Sequence, residues 1–168
     1  MALIRLIEGP VGAGKSTLAS QISKDCNAPR LILDDWMATL FSPDRPSVGV
    51  IEWYLERKSR CIDQIWKLAC DILDTGSDVI LELGLIQFSD REQFYDRVDA
   101  SGHSMKIYVL DASRELRKGR VQQRNFIKGE TYTMEVSDQI FDMANAMWES
   151  IDETECRNYE VELISTEN

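Results

Sequence analysis

Apolar residues fall into five short runs, and longer stretches between them repeat apolar positions every three or four residues. The runs cover residues 3–8, 30–34, 78–83, 105–111 and 159–165. Most of them are apolar nearly throughout, which is typical of strands covered on both faces of a parallel sheet. The last run alternates apolar and polar residues instead, which indicates an edge strand.

The stretches between the runs predict helices. Their ranges are 15–26, 50–74, 89–100, 114–126 and 135–151, and a further helical segment is expected to begin near Trp36. Ser89 and Glu92 fit a capping box at the start of the third of these ranges. The alternation of strands and helices predicts an α/β protein with a doubly wound sheet. No linker or repeat interrupts it, so we expect a single domain over 1–168.

Composition narrows the function classes. The chain has 168 residues, with 19 Lys and Arg against 29 Asp and Glu, a net charge of −10. This charge argues against general binding to nucleic acid or to an anionic membrane. No apolar run has the length of a membrane span, and the amino-terminal residues do not resemble an export signal, so we expect a cytoplasmic protein without a membrane partner. The four cysteines form no CxxC pair, which argues against zinc and predicts reduced thiols.

The strongest motif is Gly-Pro-Val-Gly-Ala-Gly-Lys-Ser at 9–16, which matches G-x-x-x-x-G-K-[ST] between the first strand and the first helix. Such a loop turns successive backbone N–H groups towards one anion, at the positive end of a helix. We expect Lys15 to reach the β- and γ-phosphates of a nucleotide and the Ser16 hydroxyl to bind Mg²⁺. The expected phosphate site comprises Gly9, Val11, Gly12, Ala13, Gly14, Lys15, Ser16 and Thr17.

A basic helix stands out in this acidic chain. Arg117, Arg120 and Arg124 recur at three- and four-residue spacing, so they are expected to share one helical face. Arginines stabilise the charge that spreads over a phosphoryl group in transfer. We expect Arg120 and Arg124 to close over the triphosphate from a lid at 113–130, with Arg124 as the catalytic clamp. A solvated basic face is the alternative for each arginine.

Four features together carry a family resemblance: the loop at 9–16, Asp34-Asp35 after the second apolar run, Val-Ile-Leu-Glu-Leu-Gly at 79–84, and Arg120-x-x-x-Arg124-Asn125. Over residues 3–155 the chain resembles small ATP-binding kinases of the polynucleotide kinase, zeta toxin and chloramphenicol phosphotransferase group, which have an AAA-type ATP-binding domain. The resemblance implies a three-layer P-loop NTPase fold with a five-stranded parallel sheet of order 2-3-1-4-5, helices on both faces and a short helical lid. It also implies Mg²⁺ and ATP as the phosphoryl donor and a hydroxyl as the acceptor.

The same resemblance assigns roles to three acidic residues. In polynucleotide kinases an Asp after the second strand is the general base, and Asp34 matches it here. A carboxylate at the carboxyl end of a parallel strand faces the ligand cleft and can accept a hydroxyl proton, which agrees with that role. Asp35 is expected to cap the next helix beside the acceptor, and the reversed assignment of the two aspartates stays open. Glu82 resembles a residue that supports Mg²⁺ or the acceptor.

The acceptor is where the chain departs from the family pattern. Polynucleotide kinases carry an arginine three residues after the base, and this chain has Met37. Together with the net charge, this favours a neutral or cationic small molecule as the acceptor. Its pocket is expected to be lined by Arg57, Trp36, Trp53 and Tyr54. For Trp53 and Tyr54, simple core packing is the alternative. Two alternatives stay open: a polynucleotide 5′-hydroxyl kinase, and a nucleotide-sensing ATPase or binding module that acts through a protein partner. A monomer or a homodimer is expected.

Overall fold

A five-stranded parallel sheet forms the centre of the protein, whose computed structural model describes residues 1–130 and 132–167. The strands are β1 Leu3–Glu8, β2 Arg30–Ile32, β3 Val79–Glu82, β4 Ser104–Asp111 and β5 Glu160–Ser165. They lie in the order β2-β3-β1-β4-β5, and each neighbouring pair is parallel. This confirms the sheet order that the resemblance implied and places the alternating last run at an edge.

Helices cover both faces of the sheet. They are α1 Lys15–Cys26, α2 Leu33–Leu40, α3 Val50–Asp74, α4 Phe88–Ser101, α5 Arg114–Ile127, α6 Asp138–Met147 and α7 Glu153–Asn158, with a 3₁₀ turn at Ser42–Asp44. Buried side chains of α3 and α4, such as Ile65 and Phe94, pack with Ile4 and Leu6 on one face. Ala19 of α1 packs with Ile7 on the other face. The predicted three-layer α/β architecture is therefore confirmed.

The second strand is shorter than predicted. β2 ends at Ile32 and α2 begins at the next residue, so Asp34 and Asp35 lie in the first helical turn. Our prediction that Asp35 caps this helix was wrong, because the residue at the N-cap is Ile32 and no side chain caps the turn. Leu33 and Met37 are both buried and lie one helical turn apart. This spacing favours a helix that already begins at Leu33. The aspartates instead interact favourably with the positive helix end.

Two further boundaries differ from the sequence prediction. α4 begins at Phe88 after an uncapped Gln87, so the expected capping box at Ser89 is absent. Of the helix predicted at 135–151, the structure contains α6 at Asp138–Met147, and α7 follows as a separate helix. A capping box does occur at α7, where Asp152 and Glu155 bind each other's backbone N–H groups. The turn between α6 and α7 lets Glu155 reach a buried partner on α4, Arg91, at 2.7 Å.

Within the described ranges, none of the helices combines the length and the apolar character that a membrane crossing needs. All four cysteines are free thiols, with Cys61 buried, Cys70 partly buried, and Cys26 and Cys156 exposed.

Candidate active site

The loop between β1 and α1 is packed so closely that two of its positions require glycine. Gly9 has φ 152° and Gly12 has φ 80°. A Cβ atom at Gly9 would lie 2.7 Å from the Leu110 carbonyl oxygen, and one at Gly12 would lie 2.6 Å from the Arg117 carbonyl oxygen. Both backbone conformation and space therefore exclude a side chain. The loop is held in one shape by the end of β4 and the first turns of α5.

Lys15 begins α1 and its side chain lies across its own loop. Its Nζ atom donates hydrogen bonds to the carbonyl oxygens of Gly9 at 2.9 Å and Pro10 at 3.0 Å. The ammonium group is thus placed above the loop, next to the helix N-terminus, where anions bind favourably. Ala13 is buried under the loop, and Thr17 is exposed in the first turn of α1. The predicted phosphate-binding residues therefore lie on one continuous turn.

Ser16 meets Glu82, the last residue of β3. The Ser16 hydroxyl donates to the Glu82 carboxylate at 3.3 Å. Glu82 is only 6% exposed. Burial raises the pKa of Glu82 to about 7, and Lys15 opposes this rise. Ser16 was expected to bind Mg²⁺ and Glu82 to support Mg²⁺ or the acceptor, and the structure brings the two residues into contact.

This pair fits Mg²⁺ by its chemistry. Mg²⁺ prefers oxygen ligands and in phosphate-transfer sites is held by one or two protein groups together with phosphates and water. Ser16 offers a hydroxyl and Glu82 a carboxylate, while residues 1–130 and 132–167 contain no cluster of three acidic, His or Cys residues suited to a metal. A bound nucleotide would therefore have to complete the ligand set.

The two aspartates of α2 lie beside this pair. Both are exposed. The charge of Asp34 raises the pKa of Glu82 and, after burial, contributes to the rise in the pKa of Tyr54 to about 12. Burial and the neighbouring Asp34 raise the pKa of Asp35. Asp34 follows by two residues Ile32, which is paired with Glu82 in the sheet, so both carboxylates lie at the same end of the strands, and the role of Asp34 as a base stays a prediction.

Arg57 lies on α3 and is held by aromatic rings. Its guanidinium group is 4.7 Å from the centre of the Trp53 ring and 5.9 Å from that of Phe41. It also donates to the Trp53 carbonyl oxygen at 3.3 Å. Cation–π contacts of this kind fix the orientation of an arginine. Arg57 is therefore held against the aromatic rings on α3 and after α2, and it forms no ion pair with Asp34 or Asp35.

Three of the four arginines of α5 were expected to share one helical face, and in the structure they have different partners. Arg120 donates to the Thr166 hydroxyl at 3.0 Å and to the Gly12 carbonyl at 3.5 Å. Arg117 is buried and donates to the Val11 carbonyl. The Arg124 Nε atom is buried and has no hydrogen-bond partner among the described residues. Arg117 and Arg120 therefore contact loop carbonyl oxygens, whereas the Arg124 Nε atom is a buried donor without a partner among the described residues.

Lys58 is a site residue that the sequence analysis missed. Its Nζ atom donates to the Gly84 carbonyl oxygen, just after β3, at 2.8 Å. Burial lowers the pKa of Lys58, and Asp90, Asp34 and Glu8 oppose this change. A signal was available in the helical pattern, because Lys58 shares the inward stripe of α3 with Tyr54, Cys61 and Ile65 at spacings of four, three and four.

Glu8 is a second missed residue, directly before the first glycine of the loop. It is 2% exposed, and its Oε1 atom has no hydrogen-bond partner among the described residues. Burial raises the pKa of Glu8 to about 8, against the opposing charges of Arg91, Lys15 and Lys58. A charged residue at the end of a mostly apolar strand, directly before the glycine loop, was the signal for it in the sequence.

Glu8→Gln is expected to remove a large pH dependence of stability. Folding raises the pKa of Glu8 from 4.5 to about 8. The unfolded chain therefore loses this proton first, and the free energy of unfolding falls as pH rises between these values. Relative to the wild type, the variant should gain on the order of 4 kcal/mol between pH 4 and pH 9. Urea unfolding at both pH values measures this, with exposed Glu52→Gln as control. Equal pH dependence in Glu8→Gln and wild type would refute the assignment.

The fold and the site together define the class of protein. A glycine loop followed by Lys-Ser joins the central strand β1 to α1 in a sheet of order 2-3-1-4-5, and acidic residues lie at the adjoining strand ends. This arrangement is that of a P-loop nucleotide-binding protein with a kinase-like fold. The chain belongs to the AAA domain family, whose model matches residues 4–147. No curated protein matches the chain in sequence.

Several solved structures share this fold. A candidate kinase from Chloroflexus aurantiacus superposes with a TM-score of 0.72 at 16% identity, covering 99% of this chain and 89% of its own. A gluconokinase from Sinorhizobium meliloti gives 0.58 at 15% identity, covering 99% and 83%. The Pnkp1/Rnl/Hen1 RNA repair complex gives 0.63 at 17% identity, covering 87% of this chain and 43% of the other. At these identities the likeness establishes a shared fold.

Proposed function

We propose that the protein is an ATP-dependent phosphotransferase that moves the γ-phosphoryl group of ATP to a hydroxyl of a small molecule. One observation carries this proposal: the phosphate-loop Ser16 is hydrogen-bonded to Glu82, and Asp34 lies two residues after Ile32, the sheet partner of Glu82. A donor site and a candidate base thus adjoin each other. The structural neighbours include a gluconokinase, whose name describes transfer to a small hydroxylated molecule.

On the donor side, the loop amides and Lys15 would bind the β- and γ-phosphates. Lys15 would exchange the carbonyl oxygens of Gly9 and Pro10 for phosphate oxygens. Ser16, supported by Glu82, would hold Mg²⁺, which when bound neutralises charge on the β- and γ-phosphates. Arg124 has a buried N–H group without a partner among the described residues and would stabilise charge on the transferred group.

On the acceptor side, Asp34 would take the proton of the acceptor hydroxyl. The hydroxyl oxygen forms a bond to the γ-phosphorus, the bond from that phosphorus to the bridging oxygen breaks, and ADP leaves with the bonding electrons. General-base assistance of this kind requires a carboxylate that is ionised and close to the acceptor. Asp34 is exposed in the first turn of α2, so an acceptor in solvent can reach it.

The surroundings of Asp34 favour a small molecule over a nucleic acid as the acceptor. Met37 is 2% exposed and packs in the core, so this position offers no contact to a nucleic-acid phosphate. Trp36 and Tyr54 also pack against the core, which leaves Arg57, Trp53 and Lys58 as the groups that can face an acceptor.

ADP release in the presence of candidate acceptors tests this proposal. The panel should contain hydroxylated metabolites, nucleosides, sugars and antibiotics, with mass spectrometry to detect a phosphorylated product. We expect at least one small molecule to stimulate ADP release and to gain one phosphoryl group. The control arm contains 5′-hydroxyl oligonucleotides at low and high salt.

Each other outcome identifies a different function. Phosphorylation of oligonucleotides alone, with steep salt dependence, would identify a polynucleotide kinase. ATP-dependent association with a protein, without acceptor-stimulated ADP release, would identify a binding module and contradict the proposal.

A further inference from the structure

The buried guanidinium of Arg117 lies behind the phosphate loop and is fully engaged there. It donates to the carbonyl oxygens of Val11 at 3.0 Å and Ala112 at 3.0 Å, and to the side-chain oxygen of Asn145 at 2.6 Å. Arg117 is 6% exposed. One side chain therefore joins the loop, the end of β4 and helix α6.

The backbone of Arg117 contacts the same loop. Its carbonyl oxygen would lie 2.6 Å from a Cβ atom at Gly12, so α5 presses directly on the loop at this point. On the other side, the fully buried Phe141 ring lies 5.7 Å from the guanidinium carbon. Because the group is enclosed from both sides, a shift of Arg117 would displace Val11 and Gly12.

The charge of Arg117 has no carboxylate partner among the described residues. All three of its hydrogen-bond acceptors are neutral oxygens. Burial lowers the pKa of Arg117, and the nearby Arg114 acts in the same direction while Asp111 opposes it. A buried charge without an opposite charge is costly. A polyphosphate bound on the front of the loop would supply the missing negative charge.

We propose that Arg117 is a positioning residue that holds Val11 and Gly12 in the anion-binding shape and whose positive charge is compensated by the bound phosphates. Asn145 of α6 orients the guanidinium through its 2.6 Å contact. The proposal rests on nucleotide binding by the loop, which is part of the proposed function, and is independent of the acceptor. It differs from the clamp expected of this arginine face, because Arg117 acts through the loop backbone.

The test is the affinity of Arg117→Met for Mg-ADP, measured by calorimetry on the full chain. Loss of a charged hydrogen-bonding group should weaken binding about tenfold to a hundredfold. Arg117→Lys should recover part of this loss because it retains the charge. The matched control is Arg114→Met, since Arg114 is also on α5 and also lies over Phe141 but is exposed and pairs with Asp142. Its affinity should stay within about twofold of wild type.

Salt dependence separates the charge of Arg117 from a merely structural role. If the charge attracts the phosphates, the affinity of Arg117→Met should vary less steeply with salt than that of wild type. Asn145→Ala keeps the charge and should bind more weakly with an unchanged salt slope, and it carries the affinity test if Arg117→Met does not fold. Wild-type affinity for Mg-ADP in Arg117→Met would overturn the proposal. If Arg117→Met does not fold, wild-type affinity in Asn145→Ala would overturn it. So would an unchanged salt slope in Arg117→Met. Absence of Mg-ADP binding by the wild type would instead contradict the proposed function itself.

Discussion

Lys15→Ala is expected to lower ATP turnover by at least about a hundredfold. Removing a hydrogen-bond donor that stabilises the charge developing in the transition state typically lowers the rate by about two to three orders of magnitude. The fold should survive. Among residues 1–130 and 132–167, the hydrogen bonds of the Lys15 ammonium are to two carbonyl oxygens of its own loop. Steady-state ADP release measures the effect, and circular dichroism checks the fold.

Lys24→Ala is the matched control for this experiment. Lys24 lies in the last turn of the same helix α1, away from the loop. It should keep wild-type turnover. If Lys15→Ala also turned over ATP at the wild-type rate, the phosphate-binding role of the loop would be wrong.

Asp34→Asn is expected to retain nucleotide binding and to lose acceptor phosphorylation by about 10²- to 10⁴-fold, which is the usual contribution of general-base catalysis. The asparagine side chain has nearly the same shape but cannot accept the hydroxyl proton. Because Asp34 is exposed in the first turn of α2, the substitution should cost little stability. The measurement is acceptor-dependent ADP release together with the affinity for Mg-ADP.

Asp35→Asn distinguishes the two neighbouring carboxylates. Both residues occupy the first turn of α2 and are exposed, so the two variants change the same helix end by the same chemistry. Only the Asp34 variant should lose transfer. If Asp35→Asn alone abolished it, the base assignment would be reversed.

The donor half of the site could be predicted from sequence because its chemistry is local. Residues 9–16 are consecutive, and the fully buried strand β3 follows from an uninterrupted apolar run that ends in Glu82. The sheet order, by contrast, came from the family resemblance. Strand periodicity reports burial and does not report which strands are neighbours.

The acceptor half depends on tertiary packing that spacing does not reveal. Leu33 is buried and draws Asp34 into a helix rather than leaving it at the end of a strand. Arg117, Arg120 and Arg124 were expected on one face, and in the structure Arg117 donates to Val11 and Arg120 to Gly12, whereas the buried Nε atom of Arg124 has no partner among the described residues. Their separate partners decide their roles.

The buried charges were missed for a related reason. Lys58 and Glu8 occur in patterns that also fit a solvated helix and a strand end. Only their neighbours, the Gly84 carbonyl and the surrounding cations, show that they belong to the site. In a sequence, a charged residue at a position that the apolar pattern predicts to be buried therefore indicates a candidate site residue.

Calorimetric titration of the wild-type protein with Mg-ADP tests the central claim most directly. The account predicts saturable heat with one nucleotide per chain, and its loss in Lys15→Ala at unchanged fold. No measurable heat with Mg-ADP or Mg-ATP, under conditions where the protein is folded, would contradict it.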